Sequence, residues 1–310
     1  MREQKIIEGK TKIITTYDDP HIKYDNIVKI ETKDVLTAND GAKQIEADLS
    51  YDKTHQTCNV FKFLRQNKIP VSFLRQLSNN AFLAKRTDPI PIEFVIRRKA
   101  FGSFLKRHPN QENGERFAVP ILEFFHKKSL VTINDKQKLV SEDEARGLYL
   151  KDGFWTQPVY TDPLLIWNFD QWRQNGEDYT SKDGFTFDLY PAKEEFSYKT
   201  SKKLYSGNSP ITVQEFMLIS DYMKSIFMLL ENKWSGVNIE LIDLKVEFGY
   251  DYDDRTLVLT DVIDNDSWRI WPAGVQSNQL DKQAYREGEP IHKVIENYKK
   301  VSQYTKYFCD

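Results

Sequence analysis

From Ile242 to Phe248 the chain alternates without a break, with Ile242, Leu244, Val246 and Phe248 on one side and Asp243, Lys245 and Glu247 on the other. A period of two belongs to a strand, and a helix would scatter those residues, so this segment demands a sheet with an apolar face. Asp251–Arg255 then reads as a hairpin loop and Thr256–Ile263 as the returning strand. In such a strand Asp261 shares a face with Leu257, Leu259 and Ile263, which makes it a carboxylate among apolar neighbours. Burying that charge is unfavourable unless it is paired or coordinated. If the register brings Glu247 near Asp261, with Lys245 one step along, the two carboxylates suit Mg2+ held against nucleotide phosphates. An antiparallel edge with a solvated face would show the same alternation. Spacing alone does not choose between them, because one residue of slip or a bulge changes which side chains meet.

Other segments carry weaker signals. Lys5 to about Lys33 reads as short strands interrupted at Gly9, and Glu8-Gly9-Lys10-Thr11-Lys12 sets two lysines beside a glycine whose neighbouring amides suit phosphates. It is not a GxxxxGK[ST] loop, and two alternate lysines on a strand are also ordinary soluble surface. Thr37–Lys43 is a polar loop around Gly41, and Thr54–Gln66 has helical spacing, stopped by Asn67-Lys68-Ile69-Pro70. Strand-like runs follow at Val71–Leu77, Ala81–Ala84 and Ile92–Arg97, the last ending in Arg97-Arg98-Lys99 ahead of a Gly102-Ser103 turn. Arginine forks with a serine hydroxyl make an anion pocket; a basic surface loop would look the same. The stretches Asp264–Arg269 and Asp281–Arg286 have the same two readings. Residues 128–209 are polar, aromatic and irregular, and long loops around one or two helices are expected there. Thr212 and Glu215 form a capping-box pattern. Behind it, Phe216, Ile219, Met223, Ile226, Phe227, Leu230 and Trp234 recur at helical spacing as core, and Gly236 closes the run. A last helix is expected from Pro290 to Tyr307.

Composition narrows the partners. A net charge of −2 over 310 residues provides no general field for nucleic acid or an anionic membrane, so small-molecule substrates are expected. Two cysteines without a CxxC pattern fit reduced thiols, and five scattered histidines show no metal-ligand spacing. With no apolar run of membrane-spanning length and a charged N-terminus, the expected location is cytoplasmic.

Taken in order, EGKTK (Glu8–Lys12), TANDGAK (Thr37–Lys43), PIEFVIRRKAFGS (Pro91–Ser103), LIDLKVEFG (Leu241–Gly249), LTDVIDNDSWRIW (Leu259–Trp271) and DKQAYR (Asp281–Arg286) resemble the SAICAR synthetase family across nearly the whole chain. Asp261-Val262, Asn265-Asp266 and Phe104-Leu105-Lys106-Arg107 resemble the animal bifunctional form more than common bacterial members, and the 310-residue chain is expected to lack the carboxylase domain fused in animals. Residues 128–209 match least and are read as an insertion.

The resemblance implies an α+β fold, with an N-terminal antiparallel β domain, a larger ATP-grasp-like α/β domain and an ATP cleft between them; Pro89–Pro91 reads as the boundary, which divides the chain into 1–90 and 91–310. It implies ATP-driven ligation of carboxyaminoimidazole ribonucleotide (CAIR) with L-aspartate, with Mg2+ as cofactor and homo-oligomers allowed. By resemblance, Lys10, Thr11, Lys12 and Lys127 would hold ATP, and Glu247 and Asp261 would hold Mg2+ with Lys245 beside them. Arg97, Ser103 and Arg269 would take the 5′-phosphate. Thr37 and Asp40 would sit at the nucleotide, and Lys282 and Arg286 would face substrate anions. The alternatives are a kinase-like phosphotransferase on a small molecule and a non-catalytic nucleotide-binding protein.

Overall fold

Two long helices and the strand Ile239–Asp251 organise the computed structural model, which describes residues 5–18, 21, 26–38, 43–167, 186–195 and 200–309. The chain forms two compact units, one made of Met1–Pro89 with Ser225–Asp310 and the other of Ile90–Lys224. The second crossing falls inside the helix Val213–Ser235.

In the first unit, five antiparallel strands lie in the order Lys5–Glu8, Lys12–Tyr17, Ile27–Thr32, Ala81–Lys85, Phe73–Gln76. The helix Ser50–Gln66 covers them. Phe61 packs on Phe73 at 5.9 Å and edge-on to Phe82 at 6.5 Å, and Thr54 Oγ1 lies 2.8 Å from Thr32 Oγ1. This helix starts a turn earlier than Thr54, because Asp34 Oδ1 accepts the amides of Leu49 and Ser50 at 3.0 and 2.8 Å and so satisfies donors that a helix start leaves open. Its other side meets the helix Ile291–Lys306, where Gln56 Nε2 donates to Tyr298 O at 3.0 Å. Trp234, fully buried, packs edge-on to Trp268 and Phe308 at 5.2 and 5.0 Å.

The alternating segment lies in the strand Ile239–Asp251, which pairs antiparallel with Leu257–Thr260, with Trp268–Pro272 and with Thr87–Pro89. Both faces of this strand are covered, since Asp243 and Glu247 are only 5% and 7% exposed. The solvated-edge reading therefore fails. The returning strand is shorter than expected. It stops at Thr260, and Asp261 takes a left-handed φ of 63°, so Asp261 does not share a strand face with Leu257 and Leu259.

The second unit is an antiparallel sheet in the order Thr200–Lys203, Thr186–Tyr190, Leu164–Trp167, Arg116–His126, Ile92–Lys99. Phe216, at the start of the helix Val213–Ser235, meets Phe124 and Phe187 edge-on at 4.6 and 5.0 Å. The capping box closes as read: Thr212 N donates to Glu215 Oε2 at 2.8 Å and Glu215 N to Thr212 Oγ1 at 3.3 Å. Residues 128–209 depart from the expected long loops. Their described part holds the hairpin Ser129–Ile133 with Lys136–Val140, the helix Glu142–Tyr149 and three strands of sheet. Polar and aromatic residues there hide the strand alternation, and the hairpin turns on Asn134 and Asp135 at positive φ.

Gly249 is paired on both sides, with Pro89 and with Val258. A Cβ there would stand 2.9 Å from Asp88 O and 3.1 Å from Thr87 Cβ. Gly249→Ala should therefore force neighbouring backbone apart and destabilise the protein by about 1–3 kcal/mol, read as a lower urea midpoint. An unchanged midpoint would mean that the close strand approach is not tight.

Candidate active site

The chain turns sharply where its acidic residues gather. The strand Ile239–Asp251 faces Thr260 with Glu247 and Arg269 with Asp243, and residues 261–267 form the link between those two partner strands. In a continued hairpin Asp261 would lie opposite Val246, on the wrong face to meet Glu247. The left-handed turn at Asp261 ends that parity. Its carboxylate forms an ion pair with Lys12 from the strand Lys12–Tyr17, both groups being half-buried. The link is tied down by Asp264 Oδ1, which accepts Asp266 N at 2.8 Å, by Ser267 Oγ donating to Val262 O at 3.1 Å, and by Lys245 N donating to Ser267 O at 2.6 Å. Arg269 NH1 bonds the Asp243 carboxylate.

The lysine turn differs in one respect from its sequence reading. Gly9 N already donates to Lys12 O at 2.9 Å, so that amide belongs to the hairpin and is not turned toward an anion. Lys10 is exposed on the turn. Glu8, beside Lys33 and Lys5, has its carboxyl lowered to about 2 by their hydrogen bonds and charge.

Asp264–Arg269 and Asp281–Arg286 are not surface loops. Asp266 is the hub of a buried cluster in which Lys53 Nζ and Lys282 Nζ donate to Oδ2 at 2.9 and 3.0 Å, and Tyr298 OH donates to Oδ1 at 2.6 Å. Lys282 also reaches Thr37 Oγ1 at 3.2 Å. Burial works to raise the Asp266 pKa, but the two ammonium groups outweigh it and hold the carboxyl well below the usual range. Neighbouring Asp264, fully enclosed, is pushed upward by burial. Burial works to lower Lys53, and the attraction of Asp266 and Asp264 more than reverses that. Lys282 ends lowered, by burial first and then by repulsion from Lys53 and Arg286, with Asp266 offsetting part. Arg286 is exposed. Sequence reading singled out Thr37 and Lys282 but missed Lys53 and Tyr298. Each lies on an amphipathic helix at a position where a buried polar group looks like one more solvent-facing residue. Asp40 lies outside the described residues.

Arg97, Ser103 and Lys127 belong to the second unit. Arg97 and Arg107 are buried and flank one carboxylate: Arg97 Nε bonds Glu123 Oε2, Arg107 NH2 bonds Oε1, and Arg107 NH1 bonds Ala192 O. Two guanidinium groups thus converge on one buried carboxylate, a concentration of donors that suits an anion. Ser103 opens the short helix Ser103–Arg107 behind Gly102, whose φ of 63° makes the turn. Lys127 is exposed, next to buried His126, whose Nδ1 accepts Lys128 N at 3.0 Å.

As to a metal, no group of three or more His, Cys, Asp or Glu side chains able to hold one occurs among the described residues. Glu247, opposite Thr260, and Asp261, the residue that follows Thr260, supply carboxylate oxygens. One or two carboxylates with substrate phosphates is how Mg2+ is commonly held, so the donor set fits that ion.

Fold and site together are those of a two-unit α+β protein with lysine–carboxylate clusters. A solved phosphoribosylaminoimidazole-succinocarboxamide synthase from Ehrlichia chaffeensis has the same fold, with a TM-score of 0.64 and 26% identity over 97% of this chain and 98% of that one. The chain belongs to the SAICAR synthetase family, whose model matches residues 5–151 and 188–305. Among curated relatives, it is similar to the phosphoribosylaminoimidazole-succinocarboxamide synthase of Roseiflexus sp., with 30% identity covering 97% of this chain and 96% of the relative. It is also similar to the chicken multifunctional protein ADE2, 33% identical over 97% of this chain, of whose length it spans 57%.

Two outcomes test this geometry. Glu123→Gln would leave two buried guanidinium groups facing a neutral amide and should cost about 3 kcal/mol or more in urea unfolding; a near wild-type midpoint would show the triad to be incidental. His126 is pushed down to about 4, chiefly by burial, from an ordinary 6.5. The unfolded chain takes up that proton near 6.5 and the native one only near 4. The contribution of neutral His126 is therefore full above pH 6.5 and is lost as pH falls toward 4, about 3 kcal/mol in all. His126→Gln should flatten the stability profile across that window, as followed by urea unfolding at pH 7 and pH 4.5.

Proposed function

We propose that the chain catalyses the ATP-dependent ligation of CAIR with L-aspartate to SAICAR, ADP and phosphate in purine biosynthesis, in the cytoplasm. The observation that carries this reading is the meeting of Lys12 with Asp261, one register step from Glu247, in a chain whose family match extends from residue 5 to residue 305.

A carboxylate is a poor acyl donor at neutral pH. In the proposed reaction a CAIR carboxylate oxygen attacks the γ-phosphorus of ATP, the bond from that phosphorus to the β-phosphate oxygen breaks, and ADP leaves. The aspartate amine then attacks the acyl carbon, its proton is lost, and the C–O bond breaks to release phosphate. Positioning and charge neutralisation are the protein's main tasks in such a transfer. Lys10, Thr11, Lys12 and Lys127 are assigned to the ATP phosphates. Glu247 and Asp261 would hold Mg2+, which supplies charge neutralisation at those phosphates. Lys245 lies two residues from Glu247 on the same strand and is assigned to the reacting groups. Arg97, Ser103 and Arg269 are given the 5′-phosphate, Thr37 and Asp40 the nucleotide, and Lys282 and Arg286 the substrate anions. The convergence of Arg97 and Arg107 on Glu123 supports the phosphate assignment.

An affinity with the animal form rests on Asp261-Val262 and Asn265-Asp266, since the identities to the chicken and the Roseiflexus proteins are close, at 33% and 30%.

ADP release should require CAIR, and SAICAR should accumulate only when aspartate is also present, as followed by coupled ADP detection and mass spectrometry. Glu247→Gln and Asp261→Asn should each lower turnover at least about a hundredfold while leaving unfolding midpoints near wild type. A phosphorylated product formed without aspartate would point to a phosphotransferase, and ADP release indifferent to both substrates would sink the ligase reading.

A further inference from the structure

Buried ionic clusters that only brace a fold tend to balance their charge, because each uncompensated charge away from water is strongly unfavourable. The pairing around Asp266 is lopsided. Lys53 and Lys282 both donate to one oxygen of a single carboxylate, at 2.9 and 3.0 Å. Tyr298 adds a neutral donor on the other oxygen, and its hydroxyl is kept protonated by burial and by Asp266.

The two lysines are not equivalent. The Lys53 side chain is 3% exposed and that of Lys282 11%. Lys53, on the helix Ser50–Gln66, cannot reach out, whereas Lys282 is the outer member and is also bonded to the Thr37 hydroxyl. Two helices, one carrying Lys53 and the other Tyr298, thus fix the Asp266 carboxylate, and Lys282 hangs from it.

We infer that Lys53 and Tyr298 are positioning residues: by clamping Asp266 they hold the Lys282 ammonium beside Thr37, aimed at an anionic oxygen of the substrate. This rests on the reading above in which Lys282 contacts substrate. The groups that act on Lys282 are Asp266 and Asp264 from the 261–267 link, Lys53 from the first long helix, Tyr298 from the C-terminal helix through Asp266, and Arg286 from its own short helix. The sign of each is distinct. Lys53 repels the protonated amine and lowers its pKa, whereas Asp266 attracts it and raises it.

The test is steady-state kinetics of the full chain with ATP, CAIR and aspartate, across pH, for Lys282→Met, Lys53→Met, Tyr298→Phe and Asp266→Asn. Lys282→Met should raise KM for CAIR or for aspartate about tenfold or more while leaving KM for ATP unchanged. Lys53→Met and Tyr298→Phe should raise the same KM about three- to tenfold with kcat little changed. Lys53→Met should also move the alkaline limb of kcat/KM to higher pH, and Asp266→Asn should move it to lower pH. Shifts in opposite directions are not a property of a cluster that only braces the fold. Should Lys53→Met fail to fold, Tyr298→Phe removes one hydroxyl and no charge and carries the KM test alone. The inference is overturned if the Lys53 and Tyr298 variants lose thermal stability with KM and the alkaline limb unmoved. If Lys282→Met itself changes no KM, the assignment of Lys282 to substrate falls first and the inference with it. A wild-type chain that makes no SAICAR would instead refute the ligation.

Discussion

One carboxylate, that of Asp266, ties together three separate parts of the first unit. It takes hydrogen bonds from the first long helix through Lys53, from the C-terminal helix through Tyr298 and from the segment after the last strand through Lys282. Around it the backbone accounting is nearly complete: Asn265 N donates to Gln56 Oε1, Asn265 Nδ2 to Leu280 O, and Asp281 accepts the amides of Ile270 and Gln283. Apolar packing is tolerant of small shifts, whereas a satisfied polar network accepts one geometry. The same hub therefore fixes where the 261–267 link runs, and that link carries Asp261.

The second unit solves a comparable problem with different parts. Glu123, on the strand Arg116–His126, holds Arg97 from the neighbouring strand and Arg107 from the short helix behind Gly102. Arg107 also lies over the ring of Phe125 at 5.3 Å, and burial lowers its pKa. In both units the charged residues of interest are held by partners on other elements, so their positions are set by the fold and not by local side-chain freedom. Such preorganisation is what anion binding and phosphoryl transfer require of a protein.

How far the sequence discloses this depends on the kind of signal. The alternation at 242–248, the helix from Thr212 and the C-terminal helix were legible because each is a local period with a cap or breaker at its end. The acidic pair was legible as residue types, but not its geometry. The register and the left-handed turn at Asp261 depend on where Leu257–Thr260 stops, which is decided by the tertiary fit of the link behind it. The strands within 128–209 escaped because their mixture of aromatics, threonines and lysines blurs the period. Lys53 and Tyr298 escaped for a different reason: their partner is more than two hundred residues away for one and lies in an apparent surface loop for both. The return of residues 225–310 to the N-terminal segment is equally invisible to local pattern.

That return has a consequence for how the protein is made. Residues 90–224 are contiguous, so that unit can close on itself as soon as it leaves the ribosome. The N-terminal segment emerges first yet must wait. The partners of Thr57, Lys53, Gln56 and Asn59 are Ile263, Asp266, Tyr298 and Thr305, each synthesised more than two hundred residues later. Until then a helix bearing an enclosed lysine has no carboxylate to meet. Translation order and assembly order are thus reversed for the two halves of the chain, and the nascent N-terminal sheet is the part exposed longest to chaperones and to premature association.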